Sequence, residues 1–301
     1  MRAVLAVLLL MGPALPAAAQ SPRAPSPPPP DVAPWGGHFR LSGAVFDNFF
    51  QTPEGEPQED VPAAGMEAGL HKGFSPHLLG YAEVDYTDYR RYRPSGGISA
   101  GLRREGRPHA FDVQGQVMLG RPSREVADEF DRADGVAVVG QYGYRMGDWE
   151  PLALAEVRRE TYERSPQKAN TVLNVGAGLR FRGLGTLSPE VGFRMGTRDV
   201  RDDEEDLGQR EVYLRLRWAP ARPTYLTLRV RRRFRDYSVD DPAARNFGRE
   251  DTRTQAVATA DLRTTSRLGF NLYYSVEDSS STHERGEFLT QMLAAGIVLR
   301  F

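Results

Sequence analysis

The chain of 301 residues contains no cysteine. That excludes disulfide staples, thiolate metal sites and a lipid-modified cysteine. Histidine is scarce: His38, His71, His77, His109 and His283 are all there are. Long apolar runs are missing beyond the first fifteen residues, and nothing later approaches the roughly 18 apolar residues that a membrane-crossing helix needs. No helical period of useful length follows either. A charge excess of one sign is also lacking, since 39 Lys and Arg stand against 40 Asp and Glu. Nothing in this balance points to nucleic-acid binding.

What is present begins with an export signal. Met1 and Arg2 precede an apolar run over 3–15, and Ala17, Ala18 and Ala19 before Gln20 form a small-residue cleavage site. Residues 1–19 therefore read as a secretory signal peptide. Residues 20–37 are Pro-rich, with Pro22, Pro25, Pro27, Pro28, Pro29, Pro30 and Pro34, and form a polyproline-type spacer that cannot build a core. Residues 38–301 are expected to fold as one domain.

That domain alternates apolar and polar residues with a period of two, the mark of strands. Expected strands span 38–50, 63–74, 77–92, 98–105, 109–121, 135–146, 151–162, 171–182, 187–198, 210–219, 224–237, 252–264, 267–278 and 287–301. In the tenth, Val212, Leu214, Leu216 and Trp218 share one face, and Glu211, Tyr213, Arg215 and Arg217 share the other. In the eleventh, Leu226, Leu228, Val230 and Phe234 oppose Arg229, Arg231, Arg233 and Arg235. The turns carry breakers such as Ser75-Pro76, Pro94-Ser95-Gly96-Gly97 and Gly147-Asp148. A large soluble β-sandwich would show the same alternation. However, these strands exceed the usual five or six residues, and their connections alternate between tight turns and longer, acidic loops such as 52–60 and 202–206.

The ending Leu293-Ala294-Ala295-Gly296-Ile297-Val298-Leu299-Arg300-Phe301 stops inside a strand on an aromatic residue, with apolar residues at every second position. It resembles the C-terminal signature of Gram-negative outer-membrane β-barrels. With the strand lengths, the alternating loops and the signal peptide, this implies an all-β, transmembrane, antiparallel up-and-down barrel of about fourteen strands, within twelve to sixteen because boundaries slip. The resemblance further implies that Ile297, Leu299 and Phe301 act as the assembly signal. It also implies contact with the barrel-assembly machinery, periplasmic chaperones, outer-membrane lipid and lipopolysaccharide. The localisation expected is the outer membrane. Trp149, Trp218 and Phe301 are expected in an inner aromatic girdle, and Tyr86, Tyr89, Tyr162 and Tyr237 in an outer one.

On this layout the inward face is rich in arginine. Arg215, Arg217, Arg229, Arg231, Arg233 and Arg235 form one expected wall, with Arg40, Arg103, Arg145, Arg158, Arg180, Arg194, Arg253 and Arg263 elsewhere. Expected inward acids include Glu67, Glu83, Asp85, Asp112, Glu156, Glu190, Glu211, Asp261 and Glu277, of which only Glu211 is expected to offset the wall. Such a lining either pairs with itself and stiffens a filled barrel, or attracts anions into a water-filled path. Arg232 is the misfit, falling on the lipid face near the outer interface, where it can snorkel. His71 and His77 face each other across one turn, but rim histidines of this kind read as structural. No cofactor, no metal site and no catalytic residues are expected, so the chain does not read as an enzyme. The function expected is a porin-like channel for small, anionic solutes. The alternative is a non-conducting barrel of an envelope-spanning export or surface-motility machine, with the Pro-rich spacer reaching a periplasmic partner. An outer-membrane lipid-modifying enzyme stands third.

Overall fold

The computed structural model describes residues 35–47, 60–90, 92–123, 131–201, 206–220, 224–244, 246–283 and 286–301. The signal peptide (1–19), the spacer up to residue 34 and most of the acidic loops at 52–60 and 202–206 lie outside the described residues. The chain forms β1 (Trp35–Asp47), β2 (Val61–Ser75), β3 (Leu78–Tyr89), β4 (Tyr92–Arg104), β5 (His109–Ser123), β6 (Asp131–Tyr144) and β7 (Trp149–Tyr162). After one turn of 3-10 helix at Pro166–Lys168 come β8 (Asn170–Phe181), β9 (Leu187–Val200), β10 (Leu207–Trp218), β11 (Tyr225–Tyr237), β12 (Glu250–Arg263), β13 (Leu268–Ser281) and β14 (Phe288–Arg300). Each strand pairs with its sequence neighbours, and β1 pairs with β14, so fourteen antiparallel strands close into one barrel.

Closure is a requirement here. A strand edge facing hydrocarbon would leave its N–H and C=O groups without water or protein partners, at several kcal/mol each. The seam runs from His38 opposite Arg300 to Asp47 opposite Gln291. Phe301 extends it by one pair: the Gly37 N–H donates to the Phe301 carbonyl at 2.9 Å, and the Phe301 N–H donates to the Gly37 carbonyl at 3.1 Å. Strands of 12–15 residues exceed the 9–11 or so that a tilted crossing needs.

The pleat sorts the side chains. Val136, Val138, Leu173, Val175, Val191 and Met195 are among the apolar residues exposed on the outside. Their strand neighbours Ala137, Asn174 and Arg194 line the interior. An outer surface so apolar is unstable in water and stable against acyl chains, so the barrel is a transmembrane one. Trp35, Phe74, Trp149, Trp218 and Phe301 are exposed at the tight-turn end and form the inner girdle. Two hairpins there are closed by Gly147 (φ 61°) and Gly185 (φ 63°), a backbone region that favours glycine.

Four sequence expectations need correction. Pro94 to Gly97 is not a turn, because β4 already starts at Tyr92 and only residues 90–91 separate it from β3. The proline is tolerated because the β3–β4 register shifts between Thr87 and Tyr89, next to it. Similarly β6 begins at Asp131, where a register shift between Met118 and Arg121 absorbs Gly120 (φ 62°) and lets pairing continue. Residues 35–37, placed in the spacer, belong to β1. Of the outer girdle only Tyr86 faces outward: Tyr89 and Tyr162 are buried inside, and the Tyr237 hydroxyl donates to Asp251 at 3.4 Å. Parity explains this, since Tyr89 shares a face with the inward Glu83 and Asp85.

The seam offers a test. A Cβ at Gly37 would lie 2.7 Å from the Phe301 ring and 2.8 Å from the Gly69 carbonyl oxygen, whereas one at Gly115 meets open space. Gly37→Ala is expected to cost about 1–3 kcal/mol of stability, read as a lower urea midpoint for the folded, heat-modifiable band. Gly115→Ala should leave the midpoint unchanged. Equal shifts would show that packing at the seam is not what limits closure.

Candidate functional site

The interior is a continuous cavity of about 2140 Å³. Its lining includes Arg215, Arg217, Arg229, Arg231, Arg233, Arg235, Glu83, Asp85, Glu156 and Glu211, whereas Glu190, also expected there, is buried and does not line it. The charges on it are not spread evenly. Arg194 and Arg198 of β9, Arg215 and Arg217 of β10, and Arg229, Arg231, Arg233 and Arg235 of β11 form one basic wall. β1, β2 and β3 contribute Arg40, Glu67, Glu83 and Asp85 instead.

Two glutamates organise the basic wall. Glu211, opposite Arg233 in the ladder, takes ion pairs from Arg229 at 3.2 Å, Arg231 at 3.3 Å and Arg233 at 2.9 Å. Glu190 of β9 accepts from Arg180 at 2.7 Å and from Arg215 at 3.2 Å. Arg180 also reaches Glu150 at 2.9 Å, and Glu150 pairs with Arg182. Glu211 is therefore not the sole counter-charge, as the sequence suggested. Glu190 is its equal, because a β9 side chain sits directly across the ladder from Arg215. The acids are buried and each pairs with more than one guanidinium, so each glutamate holds several like charges together.

Tyr213 completes the wall. Its ring lies against Gly192, directly opposite on β9, where any Cβ would overlap it. Around that ring stand the guanidiniums of Arg229, Arg194 and Arg215, at 5.4, 5.5 and 5.9 Å from its centre. Each is within cation–π range. Gly176 and Gly178 of β8 leave room for Arg194 and the Tyr213 hydroxyl. That is the local reason for a Gly-Ala-Gly run in mid-strand.

Pairing does not consume the arginine. Arg194, Arg217, Arg263 and Arg300 line the cavity and make no ion pair with any described residue. Other lining arginines are paired: Arg103 with Asp112 at 2.8 Å, Arg121 with Glu160 at 3.3 Å, and Arg40 with Glu67 at 2.8 Å. Glu156 accepts from Asn174 at 3.2 Å. Arg232 faces outward over the Phe234 ring at 5.3 Å, as its parity dictates.

One feature of the interior was not legible in the sequence. Ala44, Phe46, Val61, Ala63, Tyr89, Tyr273, Met292 and Ala294 form a buried apolar cluster on the inside of β1–β3 and β13–β14. Tyr92 and Val257 pack against it. It fills the loop-side half of the wall away from the arginines. The even positions of the last strand carry small, apolar and charged residues, among them Met292, Ala294 and Arg300. Only closure brings them against β1 and β2.

The histidines scatter. His38 and His71 point inward near the tight-turn end, His77 lies in a turn, and His109 contacts the Tyr142 hydroxyl at 2.7 Å on the outside. The expected facing of His71 and His77 does not describe the structure. The His71 ring packs against Gly36 of β1 instead.

No family model and no curated protein matches this sequence. Several solved structures are similar in outline. OmpT, an outer membrane protein of Vibrio cholerae, is 11% identical over 89% of this chain and 96% of its own, with a TM-score of 0.46. The anion-selective porin from Comamonas acidovorans is 7% identical over 89% and 98%, TM-score 0.46. A bacterial polysaccharide outer membrane secretin is 10% identical over 90% and 100%, TM-score 0.47. Identities this low leave the role of the barrel to be read from its own residues.

The Glu211 cluster makes a stability prediction. Removing one partner of a buried charge cluster strands the rest, at a cost of about 3–5 kcal/mol. Glu211→Gln is expected to lower the urea midpoint by a margin of that order. Asp236→Asn breaks only the exposed Arg210–Asp236 pair on the outside and should cost about 0–1 kcal/mol. Similar shifts in the two variants would mean that Glu211 is not the hub of the wall.

Proposed function

We propose that this protein is a passive, porin-like outer-membrane channel for small anionic solutes. The observation that carries the reading is the surplus of guanidinium groups, Arg194, Arg217, Arg263 and Arg300, that make no ion pair among the described residues and line a cavity of about 2140 Å³. A closed barrel that only needed rigidity would pair its charges. Uncompensated cations facing an open interior attract anions and repel cations.

In this reading the protein sits in the outer membrane, with its tight turns, the start of β1 and the end of β14 towards the periplasm and its longer loops outside. Lipid and lipopolysaccharide surround it. Ile297, Leu299 and Phe301 serve as the signal for the barrel-assembly machinery, after periplasmic chaperones deliver the chain. All three are exposed on the outward face, which supports that role. A second reading keeps the barrel closed to solutes, as part of an envelope-spanning machine whose Pro-rich N-terminal segment engages a periplasmic partner. The apolar cluster around Phe46 and Tyr89, which fills one side of the interior, favours it.

Topology is checked first. A protease site inserted at Asp240–Asp241, in the loop between β11 and β12, should be cut from outside intact cells. The same site at Gly183–Gly185 should be protected. Equal protection at both positions would remove the membrane topology.

Selectivity decides between the two readings. In planar bilayers the purified protein should conduct and prefer anions. Arg194→Gln, Arg217→Gln and Arg263→Gln together should move the reversal potential in a salt gradient towards cation preference. These three leave the Glu211 cluster intact, so the barrel should still fold. A folded protein without conductance rejects the channel in favour of the scaffold. Conductance indifferent to the three changes rejects the unpaired arginines as its selectivity element.

A further inference from the structure

The side of the lumen away from the arginine wall carries a different chemistry. We propose that His38, Glu67 and Glu83 form a binding site for a divalent transition-metal cation of the zinc type. One nitrogen or carboxylate oxygen from each of the three lies within 4.8 Å of the others.

The strand ladder explains how they meet. His38 of β1 pairs with Gly69 of β2, and Gly69 pairs with Glu83 of β3, so the histidine and the glutamate flank a residue without a side chain. Any Cβ at Gly69 would overlap the His38 ring. The imidazole lies across β2 because Gly69 leaves that space. Glu67, two residues along β2 on the same face, closes the triangle: its Oε1 is 2.8 Å from His38 Nε2 and 2.8 Å from Arg40 Nη2.

Charge supplies the second, independent observation. Asp85 sits directly across the ladder from Glu67, so Glu67, Glu83 and Asp85 crowd three carboxylates into one patch. Among the described residues, neither Glu83 nor Asp85 makes a hydrogen bond or ion pair. In the same lumen, Asp112, Glu150, Glu160, Glu190 and Glu211 each hold at least one guanidinium. Here Arg40 and His38 both reach Glu67, and among the described residues no guanidinium pairs with Glu83 or Asp85. Partly buried carboxylates that crowd one another without a direct ion pair repel one another and lose hydration. A divalent cation between them relieves both penalties.

The donor set narrows the ion. Calcium and magnesium take oxygen ligands, whereas one imidazole with carboxylates suits zinc and its neighbours in the first transition row. Three protein ligands leave a further position facing the lumen, open to water or to a solute carboxylate. Arg40, hydrogen-bonded to Glu67, would orient that carboxylate from outside the ligand set. The site does not require that the barrel conduct. With the ion in place the patch loses its negative charge, and the lumen becomes positive around more of its circumference.

The test uses the full-length protein folded in detergent. Zn²⁺ is titrated calorimetrically, and Co²⁺ is titrated by its visible absorption. One ion per chain is expected, with Co²⁺ bands that Zn²⁺ displaces. Glu83→Gln and His38→Gln should each weaken Zn²⁺ binding by about 10–100-fold or more. Gly69→Ala keeps every ligand yet displaces the imidazole, and should weaken binding comparably. His77→Gln, in the β2–β3 turn, and His283→Gln, in the β13–β14 loop, should change nothing. Heat-modifiable mobility confirms folding of each variant, and Glu83→Gln with His38→Gln decides the matter if Gly69→Ala does not fold. Absence of saturable binding overturns the site. So does binding that survives Glu83→Gln and His38→Gln in folded protein, or binding that is lost with His77 or His283, which would mark adventitious surface coordination.

Discussion

Everything in this molecule depends on pairing every backbone N–H and C=O inside a closed ring of strands. Hydrocarbon offers no partner for an open edge. The ring closes where β14 meets β1, and its last pair is Gly37 with Phe301. Once closed, the pleat leaves no choice about side chains: alternate residues face lipid and the remainder face the lumen. Charge excluded from the outside must therefore collect inside, which is why a chain of net charge −1 carries an arginine-rich interior.

Inside, the sheet manages crowding by setting rings opposite glycines. Tyr213 lies against Gly192, Tyr81 against Gly101, His38 against Gly69 and His71 against Gly36, each across one ladder step. A ring placed flat on the neighbouring strand leaves the lumen wide and fixes the ring's polar edge. On the basic wall that device holds Tyr213 among three guanidiniums. On the acidic side it carries His38 towards Glu67 and Glu83. The two walls thus differ in charge while sharing one packing solution.

The reach of the sequence can be judged from particular residues. The faces of β10 and β11 were readable, because Val212 to Trp218 alternate without interruption and Leu226 to Phe234 do so with Arg232 as the one exception. Pro94 and Gly120 misled the strand limits. Both residues look like breakers, yet register shifts accommodate them inside paired strands. Tyr89 and Tyr162 misled in another way: their positions near strand ends suggested an interface, while their parity sent them inward.

The sequence by itself determined the period-two pattern, most of the tight turns, a strand count near fourteen and hence, for most residues, which ones face lipid. These are local properties, fixed by the geometry of a single extended chain. Only the tertiary structure decided which inward residues meet. Glu190 joins Arg215, Phe46 joins Met292 and Tyr89, and His38 joins Glu67 and Glu83 through registers between strands and through closure of the ring. Those contacts depend on how far one strand slides against the next, and a one-residue slip exchanges the two faces. That information is held by the ladder as a whole and by no single stretch of the chain.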